Sequence, residues 1–400
     1  MNIKEQNIIF LNSISLIASE NYSFYYDFSD IYFSDIWWRY SFLENKLFQK
    51  SFPWHEQITK LHEKVINDFK KLLKSSFLTI SPLSWMNALL SILMSFTKYW
   101  DLVYFIPVEF WWHSSSTKIA EKLWLRIKYI PFDNNTKKIN FNLFRNELEK
   151  DIPKLIYVDQ MTWIYPISLL KIKDIVDNNN IITYNDISHN WAFVISWFHC
   201  NPLNDWYLMF WWSTHKTIPW PQKAFITSNN ELLYNKLIEN LNFLVSNNNP
   251  INIFILWKVL SKMDWKWNEY TSQIIKNSFY FSKKIKELGF ELVYDWLNFS
   301  QNHQVLFFTE PILKSNIFFK KLSNIWIFVN FLPLPFSNWR VGIRVWLQEF
   351  TFLWWKEKDL DILINIFRDI ILNEEINLLS NKNIVSNLKK ELLIYFKNSN

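Results

Sequence analysis

The sequence predicts an α/β protein: a mostly parallel β-sheet covered by helices, followed by a smaller α+β unit. Three observations predict it. Short apolar runs alternate with helix-like stretches through the first half of the chain. Beyond about residue 230 the apolar spacing lengthens to that of long helices. Half of the 400 residues are apolar, enough for a sizeable core.

Taken in order, residues 1–45 read as an N-terminal arm. Ile58, Leu61, Val65, Phe69 and Leu72 recur at helical spacing with Lys and Glu between them, the pattern of an amphipathic helix. Strands follow at Phe77–Ile80, Leu102–Ile106, Ile127–Ile130, Leu155–Val158, Ile181–Tyr184 and Tyr207–Phe210, separated by helix-like stretches and polar breaks. Alternation of this kind implies parallel crossovers, so residues 46–235 form the large domain. Residues 236–400 supply interdomain helices and a small C-terminal domain. Beyond about residue 230 the helical stretches are Leu232–Leu244 and Phe254–Leu288, and strands lie near Phe290–Tyr294 and Gln304–Phe308. The polar stretches Ser246–Pro250 and Asn373–Asn387 read as loops. In such sheets ligands bind at the carboxyl ends of the strands, where helix N-termini supply donors.

The formal net charge of +6 is spread along the chain rather than gathered into arms, which favours anionic small molecules slightly and gives hardly any support to nucleic acid, so no nucleic-acid partner is expected. Apolar runs such as Trp206–Trp212 fall far short of the roughly 18 residues a membrane span needs, so no membrane association is expected. A single cysteine, Cys200, and the lack of a basic-then-apolar leader point to the cytoplasm. His55, His62, His199 and Cys200 show no metal-ligand spacing, and no metal is expected.

The chain carries 2 glycines and 24 tryptophans. Tight turns and helix ends need a residue without a side chain, and a chain of this length usually has roughly 28 glycines. The missing glycine matches the surplus tryptophan. Trp37-Trp38, Trp111-Trp112, Trp211-Trp212, Trp354-Trp355, Trp265 after Asp264, and Trp220 between two prolines all stand where glycine is expected. The reading that reconciles these facts is a UGA codon written as Trp but decoded as Gly by the organism. The rival is a truly tryptophan-rich carbohydrate binder with stacking platforms.

Read with glycine, residues 211–221 become Gly-Gly-Ser-Thr-His-Lys-Thr-Ile-Pro-Gly-Pro, which places Lys216 just beyond a strand, beside hydroxyls and pliant backbone. A lysine that condenses with an aldehyde needs a shielded site, and neighbouring donors must hold the cofactor's phosphate. Ser213, Thr214 and His215 are such donors.

Here the chain resembles serine hydroxymethyltransferase, whose lysine lies in a Thr-His-Lys-Thr segment followed by Gly-Pro; the archaeal-type branch is the most similar. Further motifs agree in the same order. Leu16-Ile17-Ala18-Ser19-Glu20-Asn21-Tyr22 matches a family signature, and by resemblance Ser19 and Glu20 lie near the substrate. Pro82-Leu83-Ser84-Trp85-Met86-Asn87 resembles the turn that opens a phosphate-binding helix, so Ser84 and the backbone at Trp85 would contact phosphate. Trp111-Trp112-His113 resembles Gly-Gly-His, whose histidine stacks on the pyridine ring. Asp186 and His189 match the segment ending a sheet strand, with Asp186 paired to the pyridine nitrogen. Gly342-Ile343-Arg344-Val345-Trp346 resembles Gly-Ile-Arg-Ile-Gly, whose arginine binds the amino-acid carboxylate.

The resemblance implies a homodimeric pyridoxal-phosphate enzyme of fold type I, aspartate aminotransferase-like, in which residues 46–235 bind the cofactor. Its cofactor would be pyridoxal 5′-phosphate, its substrates a small amino acid and tetrahydrofolate, and its reaction the interconversion of serine and glycine. One segment departs from the pattern. Arg39-Tyr40-Ser41-Phe42-Leu43-Glu44 puts Phe42 where the family has a proton-handling glutamate, and leaves Tyr40 or Glu44 to assist. That departure keeps two alternatives open: folate-independent cleavage of 3-hydroxy amino acids, and a non-catalytic relative that binds a partner.

Overall fold

The computed structural model describes residues 12–16, 55–110, 115–159, 166–218, 221–263, 266–294, 300–353, 355–372 and 378–399. In chain order the elements are β1 (Ile14–Leu16), α1 (His55–Leu73), β2 (Phe77–Thr79), α2 (Trp85–Phe96), β3 (Leu102–Phe105), α3 (Ser115–Lys122), β4 (Arg126–Tyr129), α4 (Phe141–Lys150) and β5 (Leu155–Asp159). Next come α5 (Lys173–Asn178), β6 (Ile182–Asp186), α6 (Trp191–Ile195), β7 (Met209–Ser213), β8 (Ala224–Ser228), α7 (Glu231–Leu244), α8 (Pro250–Lys262) and α9 (Trp267–Glu287). The chain ends with β9 (Glu291–Leu292), β10 (Gln304–Phe308), α10 (Ser315–Asn324), β11 (Ile327–Pro333), β12 (Val341–Trp346), α11 (Gln348–Phe352), α12 (Glu357–Leu372) and α13 (Leu378–Ser399).

Two compact units emerge: residues 26–215 with 220–265, and residues 1–25, 216–219 and 266–400. The first contains a seven-stranded sheet in the order β2-β8-β7-β6-β5-β3-β4. All its neighbours from β7 to β4 pair in parallel, and β8 alone runs against the rest. The strands are short, and β3, β5, β6, β7 and β8 are buried along their length, as expected of a sheet covered on both faces, while the edge strand β4 is partly exposed. On one face Tyr157, Tyr184 and Trp211 join Ala88, Leu89 and Ile92 of α2 and Leu237 and Leu241 of α7 in a single apolar cluster. On the other, Trp212 stacks on Phe225 at 4.8 Å and meets Phe69 of α1 at 6.1 Å.

The second unit holds a five-stranded sheet, β1-β11-β12-β10-β9. The N-terminal segment enters it as β1, parallel to β11, with Ile14 opposite Ile327. β10, β11 and β12 pair antiparallel.

Several expectations are corrected. The stretch Phe254–Leu288 is two helices, α8 and α9, rather than one. The loop expected over Asn373–Asn387 is helical from Leu378 onward, because Val385 and Leu388 are buried at helical spacing. β7 starts two residues later than its apolar run and continues through Trp211 and Trp212. Among the described residues, no helix is long and apolar enough to cross a membrane.

Candidate functional site

The carboxyl edge of the seven-stranded sheet gathers polar residues at the ends of buried strands. β5 ends in Asp159 and β6 in Asp186; the two are register partners and are 1% and 2% exposed. Asp186 is closely held. Its Oδ1 accepts the backbone N–H of Ser188 at 2.9 Å and the Ser188 hydroxyl at 2.5 Å, and its Oδ2 accepts the indole N–H of Trp85 at 2.6 Å. Hydrogen bonds of this kind favour a charged carboxylate in a dry setting. Two residues earlier on these strands Tyr157 and Tyr184 stack 5.7 Å apart, and burial followed by the charge of Asp186 pushes both phenols well above their usual range. They stay neutral beside the carboxylate.

The Ser188 hydroxyl also accepts the backbone N–H of Ser213 at 2.9 Å, which ties the end of β7 to Asp186. The Ser213 hydroxyl is buried and makes no hydrogen bond of its own. Ser84 caps α2, accepting the N–H of Asn87 at 3.3 Å, while Asn87 Oδ1 takes the N–H of Leu83 at 3.1 Å. A cap of this sort takes up one of the orphan amides of the first turn, and the helix N-terminus keeps its partial positive charge. Thr214 clasps the loop that leaves β7: its hydroxyl donates to the Pro221 carbonyl at 2.5 Å and accepts the Lys223 N–H at 2.9 Å. His189 is buried in the turn after β6, and His215 is partly exposed. Lys216 lies in the turn at 214–217 and is 8% exposed.

In the second unit Arg344 sits in β12 and is 6% exposed. Its Nε donates to Asn330 Oδ1 at 3.3 Å, across the β11–β12 pair in which the two residues are register partners. Nη1 is buried without a hydrogen-bond partner. Burial lowers its pKa to about 10, with Tyr294 acting weakly in the opposite sense. A buried guanidinium with an unused N–H is suited to a carboxylate.

The structure therefore joins Asp186 directly to Trp85 and, through Ser188, to Ser213, and it presents Arg344 with an open donor. Ser19, Glu20, Tyr40, Glu44 and His113 lie outside the described residues. Two residues that hold the site were not singled out from sequence. Ser188 has a signal, a serine two positions past a strand-end aspartate. Asn330 has none, since its contact depends on strand register.

A family model described as serine hydroxymethyltransferase matches residues 112–345. The chain is 25% identical to the serine hydroxymethyltransferase of Methanobrevibacter smithii over 382 residues, covering 93% of this chain and 89% of the relative. It is 25% identical to that of Picrophilus torridus over 376 residues, covering 92% and 86%. Among solved structures, the L-threonine transaldolase of Pseudomonas fluorescens in its internal aldimine state superposes with a TM-score of 0.83 at 19% identity, covering 98% of this chain and 90% of that one. This likeness is one of fold, that of the type I pyridoxal-phosphate enzymes.

Proposed function

Because the chain belongs to the serine hydroxymethyltransferase family, we propose that it interconverts serine and glycine, with pyridoxal 5′-phosphate as cofactor and tetrahydrofolate as carrier of the hydroxymethyl carbon. The observation that carries the reading is Asp186: a buried, hydrogen-bonded carboxylate at a strand end that receives the N–H of a heteroaromatic ring at 2.6 Å. A protonated pyridine nitrogen makes the same bond.

Apart from the Trp85 indole, which occupies Asp186 Oδ2, the residues present fit the cofactor. Asp186 would hold the ring nitrogen and its proton; the Ser213 hydroxyl, Ser84 and the first amides of α2 would hold the phosphate. When bound, pyridoxal phosphate supplies an electron-accepting ring next to the amino-acid nitrogen. Lys216 would bond the aldehyde carbon, then serve as the amine that gives up and recovers that bond. Thr214, His189 and His215 would shape its surroundings, and His113 would cover the ring. Arg344 would grip the substrate carboxylate with its unused Nη1, with Ser19 and Glu20 nearby and Tyr40 or Glu44 moving the proton at the hydroxyl group. A homodimer in the cytoplasm follows from the resemblance.

The proposal extends to the tryptophans, which we read as glycine in the organism's own protein. Among the described residues, twelve non-glycine residues have left-handed φ, and six of them are Trp100, Trp124, Trp197, Trp206, Trp326 and Trp339. Trp124 and Trp197 end helices in the same motif as Gly289, a genuine glycine with φ +86°. In each, the next residue's N–H reaches back five positions: Leu125 to Ala120, Phe198 to Phe193 and Phe290 to Ile285. The indole N–H groups of Trp211 and Trp212 are buried with no acceptor, which costs roughly 1–3 kcal/mol apiece. The Trp85 indole fills the space at Asp186 that a pyridine ring would take, and glycine there would clear it.

One experiment tests both readings. The chain is made with Trp and with Gly at all twenty-four positions, and each form is mixed with pyridoxal phosphate. Visible absorbance in the glycine form, lost in Lys216→Ala, is expected, and serine turnover should require tetrahydrofolate. Turnover without it would favour aldol cleavage, and absence of the absorbance would overturn the assignment. Each decoded glycine also lowers the mass of native protein by about 129 Da, the difference between indole-bearing and bare residues.

A further inference from the structure

We propose that Tyr270 is a positioning residue for Lys216, fixing the turn from which the lysine extends; this rests on the reading of Lys216 given above. Tyr270 lies in the first turn of α9 and is 4% exposed. Its hydroxyl donates to the carbonyl oxygen of Thr217 at 2.7 Å and to that of Gln348 at 3.1 Å. Thr217 is bonded to Lys216. Residues 214–217 form a turn and Ile218 a bend, so no helix or strand ladder fixes the orientation of these peptides. A buried hydroxyl on the Thr217 carbonyl supplies that constraint one residue from the reactive amine.

Gln348 opens α11, four residues beyond Arg344 on β12. One phenol oxygen thus bonds both the lysine-bearing turn and the segment that follows the carboxylate-binding arginine. The second of these links is backed up by other contacts. Asn277, two turns along α9, donates to Thr351 Oγ1 and to the Trp355 carbonyl, each at 2.9 Å, and Gln273 donates to Asn277 Oδ1 at 2.9 Å. The Tyr270 ring also meets Phe352 edge-on at 5.9 Å. Loss of the hydroxyl alone would leave α11 clamped and the ring packed, and would release chiefly Thr217.

The test compares Tyr270→Phe with Asn277→Ala in whichever form of the chain takes up pyridoxal phosphate. Tyr270→Phe is expected to lower kcat about fivefold to tenfold, the scale of one buried hydrogen bond, with KM for serine changed by less than about twofold. The midpoint of the pH titration of visible absorbance should move by about half a unit or more, since the lysine's setting has changed. In cofactor-free protein, amide exchange over residues 216–218 should quicken about fivefold. Asn277→Ala should lower the melting temperature while leaving kcat, the midpoint and that exchange as they were. Tyr270→Leu, which also lacks the hydroxyl, is held to the same outcomes if the phenylalanine variant folds poorly. Wild-type values of kcat, midpoint and exchange in the hydroxyl-free variants overturn the inference, as does an equal midpoint shift in Asn277→Ala. If wild-type protein shows no cofactor absorbance, the reading of Lys216 fails and takes this inference with it; normal wild-type absorbance with unaltered variants rejects Tyr270 alone.

Discussion

Trp124 offers a direct measure of what a side chain costs at a left-handed helix end. Its φ is +57° and its ring is 66% exposed, so little burial is lost when the ring is removed. Trp124→Ala and Trp124→Gly both delete the indole and its tilted contact with Tyr99 at 6.4 Å, and they differ only in a Cβ. A residue with a Cβ pays about 1–2 kcal/mol in this conformation, whereas glycine loses about 0.5–1 kcal/mol more backbone freedom on folding. The balance favours glycine by about 0.5–1 kcal/mol. Repeating the pair at Trp197 and Trp326, with φ +63° and +66°, gives three sites that follow three different helices, α3, α6 and α10. Their contributions should add to about 1.5–3 kcal/mol. For a chain of 400 residues the unfolding entropy of about 2.1 cal/mol/K per residue converts this to about 2–4 °C. Calorimetry or circular dichroism of the triple glycine and triple alanine variants reads the difference. A triple alanine variant that melts at or above the triple glycine variant would refute the reasoning.

Other consequences follow from buried charge and from the thiol. Lys389→Met removes the ammonium 3.0 Å from Glu349, both groups under 5% exposed; urea unfolding should show a loss of about 3–5 kcal/mol, at least half of it recovered by adding Glu349→Gln. Arg344→Met should raise KM for serine at least about 30-fold, the scale of truncating a buried charge pair, and Arg344→Lys should restore only part of it because a single ammonium lacks the fork. Cys200 has its thiol pushed up to about 11, first by desolvation and then by Asp205. At pH 8 its thiolate is scarce, and iodoacetamide labelling should run about a hundredfold slower than for an ordinary cysteine.

Much of the large sheet was legible because its strands are uniformly apolar and end in polar breaks: β2 to β6 lie within a residue or two of the runs that predicted them. β7 was displaced because the expected run stops at Phe210, whereas the strand continues through Trp211 and Trp212 to Ser213. β8 went unread, since Ala224–Ser228 carries too few bulky residues to stand out, and only its pairing with β7 and β2 defines it. Asparagine-rich composition hid α13, whose apolar residues are sparse but correctly spaced. At the site, Asp186 was visible as a carboxylate closing an apolar strand. The roles of Ser188, Asn330 and Tyr270 were not, because each depends on a contact made by turn geometry or register rather than by a residue pattern.

The reversed direction of β8 carries a consequence for the chemistry. A parallel successor to β7 would have required the chain to cross over the sheet through a helix, and residues just past the strand end would lead away from it. An antiparallel successor turns back at once, and the end of β7 is closed against the start of β8: Ser213 faces Ala224, and the Thr214 N–H meets the Lys223 carbonyl at 3.0 Å. On the proposed reading of Lys216, the lysine follows, after Thr214 and His215, a strand whose last pair is locked to its neighbour, so the sheet does not fray at the point where the chain leaves it.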